Sequence, residues 1–133
     1  MNTNLARTLV IVGILLAAVP VLAHHAFSAE FDINKPITLQ GTLVKWEMIN
    51  PHSWFHIDIK ESDGKVITWM IEGGTPNELI RKGVTKNTVK IGTELVIEGY
   101  LSKDGTSKAV GRNFTFPDGQ RLFLGGSAPP LPQ

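Results

Sequence analysis

Four histidines occur in the chain as two pairs, His24 with His25 and His52 with His56. Imidazole is the commonest protein ligand of late first-row transition metals. A chain that begins at His24 can chelate a metal through its α-amino nitrogen and its own ring, and one further imidazole completes a three-nitrogen site that suits copper. His52 is the best further donor, with His56 in reserve. These four histidines are therefore the candidate metal ligands, and copper is the candidate cofactor.

An alternative interpretation of the same residues involves no metal. His24 and His25 then belong to a frayed terminus, and His52 only hydrogen-bonds a turn. His56 is then one polar residue on a solvated strand face. The spacing of His52 and His56 also limits a shared site, because four residues of extended strand span about 13 Å. A bend at Pro51–His52 would relax that limit.

His56 belongs to the clearest strand pattern of the sequence, Trp54–Glu61. Its first residues alternate strictly between apolar and polar, which is typical of a half-buried strand. The apolar face holds Phe55, Ile57 and Ile59, and the other face holds Trp54, His56 and Asp58. Pro51 fits the residues just before this strand, because proline has no N–H to donate to a sheet.

Trp54 is a second candidate for binding. An indole exposed on a polar strand face can stack on a sugar or a base. Asn50 and Asp58 are included with it as candidate ligand-binding residues. Trp46 and Trp69 are predicted to be core residues instead, so they are left out of the site.

Three carboxylates lie near the histidines in the predicted strands, namely Glu47, Asp58 and Glu72. A carboxylate beside a ligand imidazole can orient the ring. The same residues are equally ordinary as solvated charges on strand surfaces. The sequence leaves both roles open.

Residues 1–23 have the layout of a secretory signal peptide. Arg7 supplies the charged start, Thr8–Val19 is almost wholly apolar, and the segment ends at the small residue Ala23. A membrane anchor is the alternative, but the apolar run is shorter than the roughly 20 residues that span a bilayer. We expect cleavage after Ala23 and a periplasmic or secreted mature chain that is not an integral membrane protein.

The charge balance argues against a nucleic-acid partner. The chain has 13 Lys and Arg against 12 Asp and Glu, and loss of Arg7 with the predicted signal peptide leaves the mature chain formally neutral. A neutral chain lacks the basic surface that binds phosphates. There is no cysteine, so the exported domain must depend on its core, a ligand or a partner rather than on disulfides.

The sequence favours a binding protein over an enzyme. It contains no nucleophile elbow, no phosphate-binding glycine loop and no zinc-protease helix. An enzymatic role would require redox chemistry at a copper ion held by the N-terminal histidines. No catalytic residue is assigned.

Turn signals divide the chain into short strands. The predicted strands are Ile37–Ile49, Trp54–Glu61, Val66–Glu72, Glu94–Leu101, Ala109–Phe116 and a short Arg121–Leu124. Asn34–Pro36 is predicted to be a turn ahead of the first strand. Within that strand the apolar positions change phase just after Gly41, which indicates a bulge or a sharp bend.

One short helix is predicted between the third and fourth strands, because Thr75–Glu78 forms a capping box and Gly83 is a stop signal. Three strands, a short helix and two strands is the order of an OB-fold, a small five-stranded, partly open barrel. The predicted fold is all-β with one short helix, as an OB-like β-barrel. An ordinary antiparallel sheet with one helix on a face is the alternative. The barrel is expected over residues 24–124, followed by a disordered Pro/Gly-rich tail at 125–133.

Several short motifs carry a resemblance to a known family. They are His24–Phe27, Glu30–Asp32, Asn50–Trp54, Gly64–Lys65, Glu72–Asn77, Gly99–Tyr100 and Pro117–Gly119. Through them the chain resembles an uncharacterised family of small exported bacterial proteins, over nearly all of the predicted mature chain. The resemblance implies a periplasmic location and a small β-barrel, and it brings no catalytic residues.

The predicted function is a periplasmic protein that binds a small ligand, with copper or another transition metal held by the N-terminal and second-strand histidines. The alternative is a structural or interaction module of the cell envelope. In that case the Trp54 face meets a protein or a glycan, and no metal is involved.

Overall fold

The computed structural model describes residues 26–133, which form a mostly β protein. The strands are β1 Phe31–Met48, β2 Ser53–Lys60, β3 Val66–Glu72, β4 Glu94–Ser102, β5 Lys108–Thr115 and β6 Arg121–Phe123. One helix, α1, spans Pro76–Arg81, and residues 26–30 form a helical turn ahead of β1. The prediction of a mostly β chain with a short helix is confirmed.

The six strands belong to one sheet in the order β3-β2-β1-β4-β5-β6. Neighbours in this order are antiparallel. β3 also pairs with β5 in parallel, from Met70 opposite Lys108 to Glu72 opposite Val110. The end of β3 is therefore bordered by a strand on each side.

The start of β1 differs from the sequence prediction. The strand begins at Phe31 rather than Ile37, and the predicted turn at Asn34–Pro36 lies within it. That turn prediction is wrong. β1 pairs with β4 at Phe31 and again from Pro36 onward, so Asn34–Pro36 remains within the strand. The turn-forming residues only make the register between Phe31 and Pro36 irregular.

The change of phase predicted in β1 just after Gly41 is confirmed, and it lies at Val44. The register against β2 shifts between Leu43 and Lys45, so Leu43 is buried while Val44 is exposed. Gly41 has a different role. A Cβ atom there would lie 2.4 Å from the Asp58 carbonyl oxygen, so the close approach of the two strands requires glycine.

Helix α1 begins and ends where the sequence predicts. The Thr75 hydroxyl accepts a hydrogen bond from the Glu78 N–H at 3.2 Å, and Pro76 is the first helical residue. Gly83 follows the helix with a φ of +83°, the left-handed conformation that commonly ends helices. Leu79 is fully buried in the main core and attaches the helix to the sheet.

The main core confirms the predicted alternation of β2. Phe55 and Ile57 are fully buried, whereas Trp54 is half-buried on the other face of the strand. Trp46 packs against the core and stacks on Phe55, with 6.0 Å between ring centroids. Trp69 also packs against the core, so neither of these two indoles belongs to an open binding face.

A second, smaller cluster joins the two ends of the described chain. It contains Phe27, Phe31, Tyr100, Val110 and Ala128, with Leu131 packed against them. The Tyr100 hydroxyl donates to the Pro130 carbonyl at 2.7 Å. The tail at 125–133 was expected to be disordered because of its composition. It instead packs against the sheet through the apolar side chains of Ala128 and Leu131.

Three predictions fall on residues that lie outside the described part of the chain. They are the signal peptide at 1–23, the beginning of the domain at His24, and the candidate ligands His24 and His25. Among residues 26–133, no helix is both long enough and apolar enough to cross a membrane.

Candidate functional site

A cleft of about 560 Å³ opens between the helical turn at 26–30, the β1–β2 connection and the end of β3. Its apolar wall is formed by Ala26, Ala29, Phe31, Ile49, Pro51 and Trp54. Its polar lining is formed by Glu30, Asn50, His52, Glu72 and Ser127. An apolar wall with a few converging polar groups is typical of a site for a small ligand.

The β1–β2 connection holds His52 at this cleft. The Ser53 N–H donates to the Gly74 carbonyl at 3.0 Å, and the Ser53 carbonyl accepts from the Gly73 N–H at 2.8 Å. The Asn50–Pro51 peptide bond, just before His52, is cis. The two backbone hydrogen bonds fix the connection beside the end of β3.

Glu72, the last residue of β3, forms the floor of the cleft beside His52. Its Oε1 lies 3.2 Å from His52 Nδ1, and the residue is only 4% exposed. Strand pairing sets its position, opposite Trp54 in β2 and Val110 in β5. A carboxylate on one imidazole nitrogen orients the ring and leaves the other nitrogen, Nε2, to bind a ligand.

Burial raises the pKa of the Glu72 carboxyl from its ordinary 4.5 to about 7. Removal from water is the largest cause, because it penalises the charged form. The negative charge of Glu30 raises the pKa further, and the Lys108 ammonium lowers it. The charge at the floor of the cleft therefore changes near neutral pH.

Glu30 and Lys108 form a second charged group near the cleft. Lys108 Nζ lies 3.9 Å from Glu30 Oε2 and 3.7 Å from Asp104 Oδ2. Hydrogen bonds from the Thr106 hydroxyl and backbone N–H hold the pKa of Asp104 well below its usual range. Of these three charged residues only Glu30 lines the cleft, where it adds a carboxylate to the lining formed by Glu72 and His52.

His56 occupies a different environment on the same strand. Its Nε2 lies 2.8 Å from Glu47 Oε2, and Glu47 Oε1 lies 2.8 Å from Lys45 Nζ. Hydrogen bonds from Lys45 and then from His56 lower the pKa of Glu47. Neither residue lines the cleft; the pair lies on the partly exposed face of β2 opposite the main core, which we call the open face.

The structure divides the predicted site residues into two groups. Asn50, His52 and Trp54 line the cleft together. His56 and Asp58 are not among its lining residues, and the Asp58 carboxylate accepts a hydrogen bond from a threonine hydroxyl of β3. The structure therefore brings only part of the predicted set into one site.

A metal ion at His52 would need ligands from beyond the described residues. Within 26–133, no group of three or more His, Cys, Asp or Glu side chains is suited to hold a metal ion. His24 and His25 directly precede Ala26, which lines the cleft. The described part of the site thus offers His52 and its carboxylate partner.

Sequence reasoning missed the contribution of Glu30 and Lys108, and it left Glu72 as one of three undecided carboxylates. The only sequence signal for Glu72 is its place at the end of a strand, before Gly73. Its burial depends on the helical turn at 26–30 and on the β1–β2 connection, which are distant in sequence. No local pattern predicts that arrangement.

Comparison with known proteins gives one match. A family described as a family of unknown function, DUF6152, matches residues 12–112. The match covers most of the chain, so the chain belongs to this family. No curated protein and no solved structure matches the chain.

Proposed function

We propose that this member of the DUF6152 family is an exported protein that binds a transition-metal ion, with copper as the candidate, in the cleft beside His52. The observation that supports this most is the His52–Glu72 pair on the cleft floor. It places one imidazole beside a buried carboxylate, in a cleft that is also lined by Glu30. His24 and His25 are the proposed additional ligands.

The orientation of His52 fits this role. Its Nδ1 lies 3.2 Å from a buried carboxylate oxygen, and a carboxylate beside a metal-ligating imidazole can orient the ring. The His52 side chain is 34% exposed, so its ring can reach a ligand from the cleft. His56, by contrast, has its Nε2 bound to Glu47 outside the cleft.

Chain connectivity supports a contribution from the N-terminal histidines. Ala26 lines the cleft, and His24 is two residues before it. Two residues of extended chain span at most about 7 Å. An α-amino nitrogen and an imidazole at His24 are therefore within reach of the cleft mouth, and cleavage after Ala23 would create that amino group.

The proposed fold is an OB-like barrel. The pairing of β3 with both β2 and β5 supports it, since closure of a five-stranded barrel requires the end strands to meet. In such barrels the face of the second and third strands is the usual ligand platform. His52, Trp54 and Glu72 lie at one end of those strands. The expected location is the periplasm or the outside of the cell, and nucleic acid is not an expected partner.

Copper titration of three single variants tests the metal proposal. We expect His24→Ala and His52→Ala each to weaken Cu²⁺ binding by at least about 10-fold, because each removes an imidazole ligand and loss of even a ligand's hydrogen-bonding partner costs about that much. His56→Ala is the matched control on the same strand and should change the affinity far less. Equal losses in all three variants, or no loss in any, would contradict the assignment.

A second function, an interaction module of the cell envelope, is favoured by one observation. Trp54 lines the same cleft and is half-buried rather than part of the main core. We expect Trp54→Ala to keep its thermal unfolding midpoint and to lose binding to peptidoglycan fragments. A large fall in thermal stability would show that the indole serves packing instead.

A further inference from the structure

The segment before β1 is attached to the sheet by several contacts. We define the arm as residues 26–31. Phe27 packs edge-on against Tyr100 with 5.6 Å between ring centroids, and Phe31 is 2% exposed. The Glu30 carbonyl accepts a hydrogen bond from the Lys103 N–H at 2.8 Å, and the Lys103 ammonium donates to the Ser28 carbonyl. The arm is therefore anchored on β4 and on the turn that follows it.

The segment after β6 is attached to the same place. We define the tail as residues 125–131. Ala128 is 4% exposed in the second cluster, and its carbonyl accepts a hydrogen bond from the Arg112 guanidinium. The Pro130 carbonyl accepts from the Tyr100 hydroxyl at 2.7 Å. The tail and the arm thus share Tyr100, whose ring packs on one and whose hydroxyl binds the other.

Both segments also reach the cleft. Ala26, Ala29, Glu30 and Phe31 of the arm form part of its wall, and Ser127 of the tail forms another part. Tyr100 itself is not a lining residue, and it is 1% exposed beneath the two segments. The second cluster therefore packs behind the residues that line this side of the cleft and determines their position.

We propose that the arm and the tail dock and release as one unit, a clasp centred on Tyr100, and that docking of the clasp completes the wall of the cleft. Neither segment has a complete apolar site without the other, because Phe27, Tyr100 and Ala128 belong to one buried cluster. Removal of the tail from this cluster would expose Phe27 and weaken the attachment of the arm.

This inference rests on the proposed function only in its consequence for metal binding. A released clasp would remove the arm and Ser127 from the wall of the cleft beside His52. The apparent affinity for a metal ion would then fall with the fraction of docked clasp. Tyr100 and Ala128 are positioning residues in this account, since neither lines the cleft.

Amide hydrogen exchange, measured without any ligand, tests the clasp itself. Tyr100→Phe keeps the ring and removes only the hydroxyl bond to the tail. We expect exchange in peptides covering 26–31 to become about fivefold faster together with exchange at Ser127, Ala128 and Leu131, as loss of one hydrogen bond from a shared opening unit implies. Ala128→Asp, which places a charge in the cluster, should release both segments further.

Thr88→Val is the matched control. It also removes a hydroxyl bond to a backbone carbonyl, from Thr88 Oγ1 to Gly83 at 2.6 Å, outside the second cluster. It should leave exchange in the arm and the tail unchanged. Faster exchange of the tail alone in both cluster variants, with the arm unaffected, would overturn the clasp, and so would no change in either segment.

A Cu²⁺ titration of Ala128→Asp separates the clasp from the proposed function. We expect wild-type protein that begins at His24 to bind Cu²⁺, and Ala128→Asp to bind it about tenfold more weakly. If the wild-type protein binds no Cu²⁺, the proposed function fails while the exchange result still decides the clasp. If affinity is unchanged although both segments exchange faster, the part of the cleft wall that the clasp supplies is not needed for metal binding.

Discussion

Two histidine–glutamate pairs lie close together in this sheet and differ in their surroundings. In the cleft, His52 and Glu72 are 3.2 Å apart and the carboxylate is almost fully buried. On the open face, His56 and Glu47 are 2.8 Å apart, and Lys45 contacts the same carboxylate. The shorter distance therefore belongs to the pair whose carboxylate is more exposed.

The two glutamates have pKa values that are shifted in opposite directions. Burial raises the pKa of Glu72 to about 7, whereas hydrogen bonds from Lys45 and His56 lower the pKa of Glu47. Desolvation dominates in the cleft, and hydrogen bonds to the carboxylate dominate on the open face. The Glu72 carboxyl is thus a group that titrates near neutral pH, whereas the lowered pKa of Glu47 keeps its carboxylate ionised there.

The largest expected effect concerns the pH dependence of stability. A carboxyl pKa that rises from 4.5 to about 7 on folding corresponds to about 3 kcal/mol. The folded state binds the proton more tightly, so this contribution is fully present below pH 4.5 and is lost as the pH rises through about 7. We expect Glu72→Gln to remove that loss, measured by urea unfolding at a series of pH values.

Glu47→Gln is the control for this measurement. The pKa of Glu47 is lowered on folding, so its contribution is present above the ordinary carboxyl range and is lost only as the pH falls through the lowered pKa. It should leave the slope between pH 4.5 and 7 unchanged. An unchanged slope in Glu72→Gln would contradict the buried, titrating carboxyl.

The next effect concerns metal affinity. If Glu72 orients a ligand imidazole, Glu72→Gln should weaken Cu²⁺ binding about 10-fold, the lower end of the effect of such partners. Glu47→Gln removes the corresponding partner of His56 and should leave the affinity unchanged. Calorimetric titration measures both affinities. Similar losses in both variants would show that the His52–Glu72 pair contributes no more to metal binding than the His56–Glu47 pair.

A smaller effect is expected for the stability of the open-face pair. His56→Ala should lower the free energy of unfolding by no more than about 1 kcal/mol, because ion pairs near the surface contribute little. Urea unfolding at pH 6 measures it. A loss several times larger would mean that His56 packs as a structural residue and that the two pairs differ less than the structure indicates.

The smallest effects are shifts of single pKa values. Lys45→Met should raise the pKa of Glu47, because the bond from Lys45 is the largest cause that lowers it. Lys108→Met should raise the pKa of Glu72 above about 7, because the ammonium partly offsets burial. Carboxyl carbon NMR titration reports both shifts. A shift of either glutamate in the opposite direction would contradict the stated causes.

Local signals predicted much of the fold. The alternation in β2, the capping box at Thr75 and the glycine stop at Gly83 each act over a few residues, and each has its predicted structure. The errors arose where pairing between strands that are distant in sequence determines the structure of a segment. Asn34–Pro36 has turn chemistry, but pairing with β4 includes it in β1.

The site was predicted less completely, since its parts come from separate segments. His52 and Trp54 were identified from their types and spacing, and both line the cleft. Glu30 and Ser127 join them only because the arm and the tail pack on the sheet. The tail has a composition typical of disorder, and the apolar contacts of Ala128 could not be predicted without knowing what it meets.

The most direct test of the central claim is a Cu²⁺ titration of two proteins. Both begin at His24; one has a free α-amino group, and in the other that group is acetylated. We expect the first to bind Cu²⁺ tightly and the second to lose most of that affinity, because acetylation converts the chelating α-amino group of His24 into an amide. Equal binding by both would contradict a site built on the processed terminus, and binding by neither would contradict the metal proposal as a whole.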